Sequence, residues 1–204
     1  NKFIVYIYMP AIFKRKDIKE YNVKGFVVSN IGQIDLLKRF NKELIGNYTL
    51  NIYNRYTIDT LKKLGINRYI ISPELDKKAI QFLLENSTDT EMIVYGKIPV
   101  MTSNYCVLGN TNKCNDKCYR LCEHDNYLED RIGIKFKVIS DNGICTIYNS
   151  KIFSINRNEF DFNIARIDIL DESIEEINKI IDLVQNGKRL EGKDYTNGNL
   201  NREI

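Results

Sequence analysis

Residues 25–40, GFVVSNIGQIDLLKRF, contain a complete strand-to-helix unit. The first part, Gly25 to Asn30, is a β-branched apolar run that ends in polar residues, as is typical of a strand buried in a parallel sheet. In the second part the apolar residues recur at helical spacing and therefore lie on one side of a helix. These residues are Ile31, Ile34, Leu37 and Phe40. The stretch predicts a buried strand followed at once by a helix that packs on the sheet.

The same order of strand and helix extends to both sides of this unit. Further strands are predicted at Phe3 to Tyr8, Tyr48 to Tyr53, Arg68 to Ser72 and Glu91 to Tyr95. Two more helices are predicted from apolar residues at helical spacing, namely Ile58, Leu61 and Leu64, then Leu75, Ala79, Ile80, Leu83 and Leu84. Thr57 is in position to cap the first of these helices, and Gly65 is in position to end it.

Alternating strands and helices with short loops predict a parallel sheet covered by helices, because each parallel crossover needs a covering segment. About five strands are too few for a closed eight-stranded barrel, which typically needs about 250 residues. The predicted fold class is α/β, either a partial TIM-type (β/α) barrel or a small open sheet. In both cases reactive groups are expected at the carboxyl ends of the strands. The polar residues there are Ser29 and Asn30, Asn51 to Asn54, Ser72 to Glu74, and the loop after Pro99.

The pattern changes beyond residue 100. Residues 102–130 are rich in Asn, Asp, Lys and Cys and lack a sustained apolar period, so they predict a long irregular excursion. Ile134 to Ile139 and Cys145 to Phe153 then predict two antiparallel strands. The turn between them, Ser140 to Gly143, contains the strong turn dipeptide Asn-Gly.

The last part of the chain predicts one more strand and one more helix. The strand is Ile164 to Leu170, and the pair Ser173 and Glu176 forms a capping-box pattern that opens the helix. Gly187 ends the helix, and the polar tail from Lys188 is predicted to be loose. The chain then divides into 1–103 with the βα units, 104–150 with the cysteine-rich excursion and hairpin, and 151–204 with the closing strand, helix and tail. Together they are expected to form one compact domain.

Composition excludes several classes of protein. The 204 residues are 43% hydrophobic and 28% charged, which is enough for a core without disulfide staples. No stretch has transmembrane length, and the apolar start of the chain is patterned as a strand rather than as a signal peptide. A cytoplasmic location is therefore expected, where thiols stay reduced. A net charge of +3, from 30 basic and 27 acidic residues, gives no polybasic surface.

The five cysteines are the strongest chemical signal. They are Cys106, Cys114, Cys118, Cys122 and Cys145. In a reduced compartment, such crowding favours a metal or iron–sulfur site, although buried free thiols and disulfides stay open as alternatives. The spacing is not the paired Cys-x-x-Cys of a zinc ribbon. Four thiolates are the usual ligands of an iron–sulfur cluster, so a cluster or another metal site is the favoured interpretation.

The single histidine, His124, limits the catalytic chemistry. A metal site with two histidines is excluded, and a nucleophilic triad would have to use this one residue. His124 is either an extra ligand of the cysteine site or has no role. The sequence also lacks the GxSxG, P-loop and GxGxxG motifs.

Four segments of the chain resemble peptidase family U32, the collagenase-like peptidases. They are YTLNIYN (48–54), LGINRYIISPEL (64–75), YGKIPVMTSNYC (95–106) and YLEDR (127–131), and the resemblance extends over residues 20–200. It implies a TIM-type barrel longer than this chain, which would be the later half or more of one. Family members are described as peptidases or collagenases. Several relatives instead use a four-iron, four-sulfur cluster to hydroxylate ribosomal RNA, transfer RNA or a ubiquinone precursor.

Carried over residue by residue, the resemblance implies that Cys106, Cys118, Cys122 and Cys145 bind the cluster. Cys114 is the alternative ligand, because the Cys-x-x-x-Cys step of the family matches either Cys114 and Cys118 or Cys118 and Cys122. The distance to the YLEDR segment favours the second pair. The better-known members carry His-Gly and a further cysteine after the preceding strand, where this chain has Tyr95-Gly96 and Pro99. One ligand has therefore moved, and zinc is the alternative to the cluster.

Three residues are candidate catalytic groups, each with a structural alternative. Glu74, at a strand end, is a candidate acid–base group or substrate contact, or a carboxylate favoured at a helix N-terminus. Asp130 and Arg131 are candidates for binding an anionic substrate, or form a structural ion pair.

Three more polar residues have a candidate role in binding. Arg166 on the last strand either faces a substrate phosphate or carboxylate or lies exposed on the surface. Asn51 and Asn54 either line the site or cap and turn the chain.

The resemblance, together with the cysteines, therefore implies an iron–sulfur-dependent enzyme that hydroxylates RNA or a small molecule. One alternative is a collagenase-like peptidase, but a protease needs a nucleophile with a base, or a metal-activated water, and neither is readable here. The other alternative is a non-catalytic module that binds structural zinc. A second copy of the chain or a missing half of the barrel is an expected partner, because sheet edges need to be covered. No membrane association is expected.

Overall fold

The computed structural model describes residues 3–13, 18–111, 126–141 and 143–202. The strands are β1 (Tyr6–Tyr8), β2 (Gly25–Val28), β3 (Glu43–Gly46), β4 (Arg68–Ile70), β5 (Thr90–Gly96), β6 (Pro99–Ser103), β7 (Asn126–Glu129), β8 (Lys135–Asp141), β9 (Ile144–Tyr148), β10 (Ile152–Ser154), β11 (Ile164–Ile167) and β12 (Tyr195–Thr196). The helices are α1 (Gly32–Lys38), α2 (Arg55–Lys63), α3 (Lys77–Glu85), α4 (Val107–Thr111) and α5 (Ile174–Gln185). No helix in these ranges is long and apolar enough to cross a membrane.

The first sheet is built mainly from parallel strands. Strands β1, β2, β3, β4 and β5 follow one another, and β11 pairs in parallel with the opposite edge of β5. Strand β10 pairs antiparallel with the end of β5, and β12 pairs with β10. The predicted α/β class with a parallel sheet is confirmed, and the TIM-type barrel stays a prediction.

The third strand does not lie where the sequence predicts it. The predicted strand at Tyr48 to Tyr53 is wrong, because Tyr48–Leu50 is a short 3-10 helix and β3 is Glu43–Gly46. The run Glu-Leu-Ile-Gly is too short and too mixed to show a strand pattern. Its pairing with β2 and β4, rather than its own composition, makes it a strand. As a result, Asn47 follows the carboxyl end of β3.

Successive side chains of the parallel strands point to opposite faces of the sheet. One face is apolar and belongs to the same buried core as the inner stripes of α1, α2 and α3. Its strand residues are Phe26, Val28, Leu44, Tyr69, Ile71, Met92 and Val94, and the helices add Ile34, Leu37, Ile58, Leu61, Ile80 and Leu83. The other face alternates apolar with polar and charged side chains. That second face carries the candidate site.

The helix ends follow the capping rules with one correction. Asn54 caps α2, since its Oδ1 accepts a hydrogen bond from Thr57 N at 3.0 Å, so the predicted Thr57 cap is wrong. Gly65 ends this helical segment with φ of +86°, as predicted. Asp76 caps α3 by accepting from Ala79 N at 2.7 Å.

Residues 99–148 contribute a second, antiparallel sheet of order β6-β9-β8-β7. The predicted hairpin is confirmed, with Asp141 opposite Ile144 across the turn between β8 and β9. The predicted strand at Cys145 to Phe153 is in fact two strands, β9 in the second sheet and β10 in the first. The irregular excursion predicted at residues 102–130 is wrong at both ends, where β6, α4 and β7 lie, and residues 112–125 lie outside the described part of the chain.

The described C-terminal residues pack against the rest of the fold. The predicted capping box is confirmed, with Glu176 N donating to Ser173 Oγ at 3.3 Å and Ser173 N donating to Glu176 Oε2 at 2.7 Å. The prediction of a loose tail is wrong. Leu200 is only 5% exposed in the core, and its carbonyl accepts from Lys77 N at 3.3 Å. The tail therefore packs against the start of α3.

Candidate functional site

A buried amide, Asn47, lies at the centre of the polar face, just beyond the end of β3. Its Nδ2 lies 3.0 Å from the hydroxyl of Tyr8, 3.1 Å from Ser29 Oγ and 3.2 Å from Thr49 Oγ1, each in position to accept a hydrogen bond. Asn47 is fully buried. Because these partners come from the ends of three neighbouring strands, the amide joins the carboxyl edges of β1, β2 and β3.

Arg166 reaches this amide from β11. Its Nη1 donates to Asn47 Oδ1 at 3.3 Å, its Nε donates to Asp168 Oδ1, and its guanidinium carbon lies 5.6 Å from the centre of the Tyr8 ring. Burial lowers the pKa of Arg166, but the charge and hydrogen bond of Asp168 raise it by more, so the guanidinium stays charged. The Arg166 side chain is 19% exposed, and the surface alternative is therefore wrong.

The close approach of β11 to β5 depends on Gly96. A Cβ atom at this glycine would lie 2.7 Å from Asp168 Cβ and 2.8 Å from Asp168 O. Its φ of +146° also disfavours other residues. The glycine thus permits the position of Asp168 beside Arg166.

A cavity of about 570 Å³ opens beside this network. Residues 10–13 form one wall, and the facing wall is the second sheet, from which Thr102, Ile139, Thr146 and Tyr148 contribute. Tyr8, Tyr48 and Thr49 line the side next to Asn47. This size and mixed lining suit a small molecule or one group of a larger substrate.

Two of the tyrosines in this cavity stay protonated at neutral pH. Burial raises the pKa of Tyr48 and of Tyr148, and the nearby Tyr8 and Asp168 add to the effect in both cases. Their hydroxyls are therefore hydrogen-bond donors and not general bases.

A second group of charges lies on the same face, nearer the amino ends of the strands. Arg68 donates to Glu43 at 2.7 Å and forms an ion pair with Glu91 at 3.1 Å. Tyr6 donates to Glu43 Oε2 at 2.7 Å. Burial raises the pKa of Glu91, while Arg68 and Arg166 oppose the rise without cancelling it. This group joins four strands and links by charge to Arg166.

The two described cysteines lie together on the second sheet. Cys145 is fully buried and lies directly opposite Ser103 on β6 and Ser140 on β8. Cys106 Sγ lies 2.9 Å from Ser140 Oγ and accepts from Gly109 N at 3.1 Å. Directly opposed residues point to the same face of a sheet, so Ser140 and Cys145 share one face. Since Cys106 contacts the Ser140 side chain, its thiol lies on that face too. The cavity lies on the other face, which carries Thr146.

This face suits a thiolate-bound group. The segment of residues 112–125 leaves from α4 and returns at Asn126, which lies opposite Val138 on the cysteine-bearing face. Cys114, Cys118, Cys122 and His124 belong to that segment and lie outside the described residues. In the part of the chain that is described, no three His, Cys, Asp or Glu side chains are grouped to hold a metal. Cys106 and Cys145 are the two members of the predicted set of four whose positions the structure describes.

Two of the three candidate catalytic residues form hydrogen bonds with a structural role, and the third is exposed. Glu74 accepts from the Tyr53 hydroxyl at 2.6 Å and does not cap a helix, since Asp76 has that role. Asp130 Oδ1 accepts from the amides of Ile132 and Ile134, both at 2.9 Å, and so shapes the turn between β7 and β8. Arg131 is exposed in the same turn.

Asn51 and Asn54 have the structural roles that were the alternative for them. Asn51 has φ of +57° at the end of the 3-10 helix, and Asn54 caps α2. Of the binding candidates, Arg166 alone is brought into the network around Asn47. The sequence analysis does not single out Tyr8, Asn47, Tyr48 or Tyr148. A signal for Asn47 exists, because it follows a short strand just as Ser29 follows β2.

A comparison with protein families finds one match. The family model described as Peptidase family U32 matches residues 11–192. No curated protein and no solved structure shows significant similarity to the chain. The match includes every strand of the first sheet except β1 and β12, all of the second sheet, and the five cysteines.

Proposed function

We propose that this chain, which belongs to peptidase family U32, is an iron–sulfur-dependent enzyme that hydroxylates a small molecule or an RNA. The substrate, or its reacting group, would bind in the cavity beside Asn47 and Arg166. The cysteines of the second sheet and the segment that follows α4 would bind a four-iron, four-sulfur cluster.

The observation that carries this proposal is the arrangement of Cys106, Ser140 and Cys145. These two cysteines are separated by 38 intervening residues in the sequence but lie on one face of the second sheet. Cys106 Sγ lies 2.9 Å from Ser140 Oγ, and Cys145 lies directly opposite Ser140 in the pairing of β8 with β9. Thiolates are the usual ligands of such clusters. Cys118 and Cys122 would complete the set, with Cys114 as the alternative. Once bound, the cluster would supply one-electron chemistry that amino-acid side chains do not provide.

The chain's own residues would bind and orient the substrate. Arg166 presents a positive charge whose direction is fixed by Asp168 and Asn47. Tyr48 and Tyr148 remain protonated donors, and the apolar side chains of the loop and second sheet exclude water from the reacting group. These residues thus favour binding of a polar group that carries negative charge.

The peptidase alternative has less support from the geometry. A serine or threonine nucleophile needs a base that accepts its proton. At this site Ser29 Oγ accepts from the Asn47 amide, and Thr49 Oγ1 donates to the carbonyl of Ser29 at 2.8 Å. Asp168 is paired with Arg166 and so is not available as a free carboxylate. The hydroxyls at the site hold the strand ends together.

The test is anaerobic purification followed by measurement of iron, sulfide and zinc. The expected result is a brown protein with about four irons and four sulfides per chain. Cys106→Ser and Cys145→Ser should each lose most of the iron. Cys114→Ser is the matched control and should retain it. A colourless, folded protein with stoichiometric zinc would instead establish the structural-zinc alternative.

The peptidase alternative has its own measurement. Cleavage of gelatin or casein that persists through repurification and is abolished by a substitution in the network beside the cavity, such as Arg166→Met, would replace the hydroxylase proposal. For the substrate, the expected result is loss of a single RNA hydroxylation, or accumulation of a non-hydroxylated small molecule, when the gene is deleted.

The edge of the parallel sheet at β1 is the place for the expected partner. Phe3, Ile4 and Val5 precede this strand and are 91%, 72% and 53% exposed. Apolar residues beside an edge strand favour a covering chain. A second copy stays a prediction, and a stable monomer in size-exclusion chromatography would contradict it.

A further inference from the structure

The side chain of Gln33, on the first turn of α1, is buried although its atoms are polar. The residue is 2% exposed. Its Oε1 accepts from the amides of Ser29 at 2.9 Å and Asn30 at 3.1 Å, and its Nε2 donates to the carbonyl of Pro10 at 2.7 Å. Both ends of the amide are used, one on the end of β2 and the other on the loop after β1.

The loop that Gln33 holds is a wall of the cavity. Pro10, Ala11, Ile12 and Phe13 all line it. At the root of this loop Met9 N donates to Val27 O at 2.9 Å. Beyond that point, Gln33 binds the Pro10 carbonyl and Asn30 Nδ2 binds the Ala11 carbonyl at 3.3 Å. The Gln33 bond is the shorter of the two, and its donor side chain is buried.

The other end of the Gln33 amide leads to the substrate-binding network. The backbone amide of Ser29 donates to Gln33, and the hydroxyl of Ser29 accepts a hydrogen bond from Asn47. Asn47 in turn accepts from Arg166. The loop wall is thus connected to Arg166 through Gln33, Ser29 and Asn47.

We propose that Gln33 is a positioning residue that holds residues 10–13 as the wall of the cavity. The inference rests on the proposed function for the role of that cavity. The position requires one atom that accepts from two backbone amides and a second atom that donates to a carbonyl, and the side-chain amide of glutamine supplies both at neutral pH. A carboxylate of the same shape keeps the acceptor but loses the donor.

This requirement gives a selective test by NMR relaxation and hydrogen exchange. In Gln33→Glu at neutral pH, the amides of Ser29 and Asn30 should stay protected, because a carboxylate still accepts from them. The order parameters of Ala11, Ile12 and Phe13 should fall from about 0.85 to below about 0.6, the range of flexible backbone. Acidification to about pH 5 should restore the loop, because burial favours the protonated carboxyl, which again donates to Pro10 O.

Two further variants separate positioning from general destabilisation. Gln33→Leu has neither donor nor acceptor, so the loop should be mobile at both pH values. Exchange at Ser29 and Asn30 should rise about tenfold, as expected when a hydrogen-bond acceptor is lost. Gln81→Glu makes the same change at an exposed site on α3 and should alter neither region.

A loop that stays rigid in Gln33→Glu at neutral pH, or stays mobile after acidification, would overturn the proposal. Iron content distinguishes this outcome from failure of the proposed function. It should be equal in native protein and Gln33→Glu, because the cysteines lie on the far face of the second sheet. If the chain binds no iron at all, the loop measurements still decide the role of Gln33.

Discussion

Replacing Asn47 by leucine tests the central network of the site. Leucine is similar in size but has no polar atoms. The Nδ2 group has two protons, so two of its three acceptors are bonded at any moment, and Oδ1 accepts one bond from Arg166. The substitution therefore removes about three hydrogen bonds from a residue with no solvent exposure.

The expected loss of stability follows from these bonds. Neutral hydrogen bonds contribute about 1 kcal/mol each, and one to a charged group contributes about 1.5–3 kcal/mol. Part of this is recovered, because Tyr8 borders the cavity and the Arg166 side chain is 19% exposed, so both can bind water. We expect Asn47→Leu to lower the free energy of unfolding by about 2–4 kcal/mol.

The assay is urea unfolding of the purified chain, followed by circular dichroism. With a slope of about 2 kcal/mol per molar urea, the midpoint should fall by about 1–2 M. Asn178→Leu, on the exposed side of α5, is the control and should change stability by less than about 0.5 kcal/mol. An Asn47→Leu midpoint equal to that of the native protein would show that the network does not hold the three strand ends together.

Three further substitutions test the surrounding charges and the close strand contact. Burial raises the folded-state pKa of Glu91, although Arg68 and Arg166 oppose the rise. Ionising Glu91 therefore costs the folded protein stability. The urea midpoint of the native protein should fall relative to that of Glu91→Gln from about pH 4 to pH 7. Partial burial raises the pKa of Asp171, but the Lys137 hydrogen bond and the charge of Lys97 lower it by more. The ionised Asp171 therefore stabilises the fold above the ordinary aspartate pKa of about 3.9, and this stabilisation is lost as the pH falls through the lowered pKa of Asp171. Below about pH 4, the native protein should lose stability more steeply than Asp171→Asn in the same urea assay. Gly96→Ala should cost at least about 2 kcal/mol by thermal unfolding, because it adds a clash with Asp168 to an unfavourable φ, whereas Gly192→Ala, with φ of +125° and open space around it, should cost less. Equal costs for the two glycines would show that the Asp168 contact has no effect.

Local patterns in the sequence predict much of the fold. The unit in residues 25–40 folds as β2 and α1, and the capping box at Ser173 and the hairpin turn at residues 140–143 lie where the sequence places them. Each of these features depends on interactions between residues close in the sequence, so a single stretch contains enough information to predict it. The cysteine cluster likewise depends on spacing alone, and its ligand role stays a prediction.

The errors lie where distant partners decide the structure. Strand β3 has a weak pattern of its own and becomes a strand by pairing on both edges. The polar tail, predicted to be loose, packs because Leu200 meets the core formed by other segments. In both cases the free energy comes from burial and pairing with residues far away in the chain, and local propensity does not report it.

By itself, the sequence determines the alternation of strands and helices, the hairpin, the capping box at Ser173 and the crowding of five cysteines. Only the tertiary structure decides that Tyr8, Asn47 and Arg166 meet at one point, and that Cys106 and Cys145 share one face of a sheet. The physical reason is that parallel strands bring their carboxyl ends to one edge whatever their separation along the chain. Which polar side chains meet there depends on strand order and register, which are set by long-range pairing and core packing.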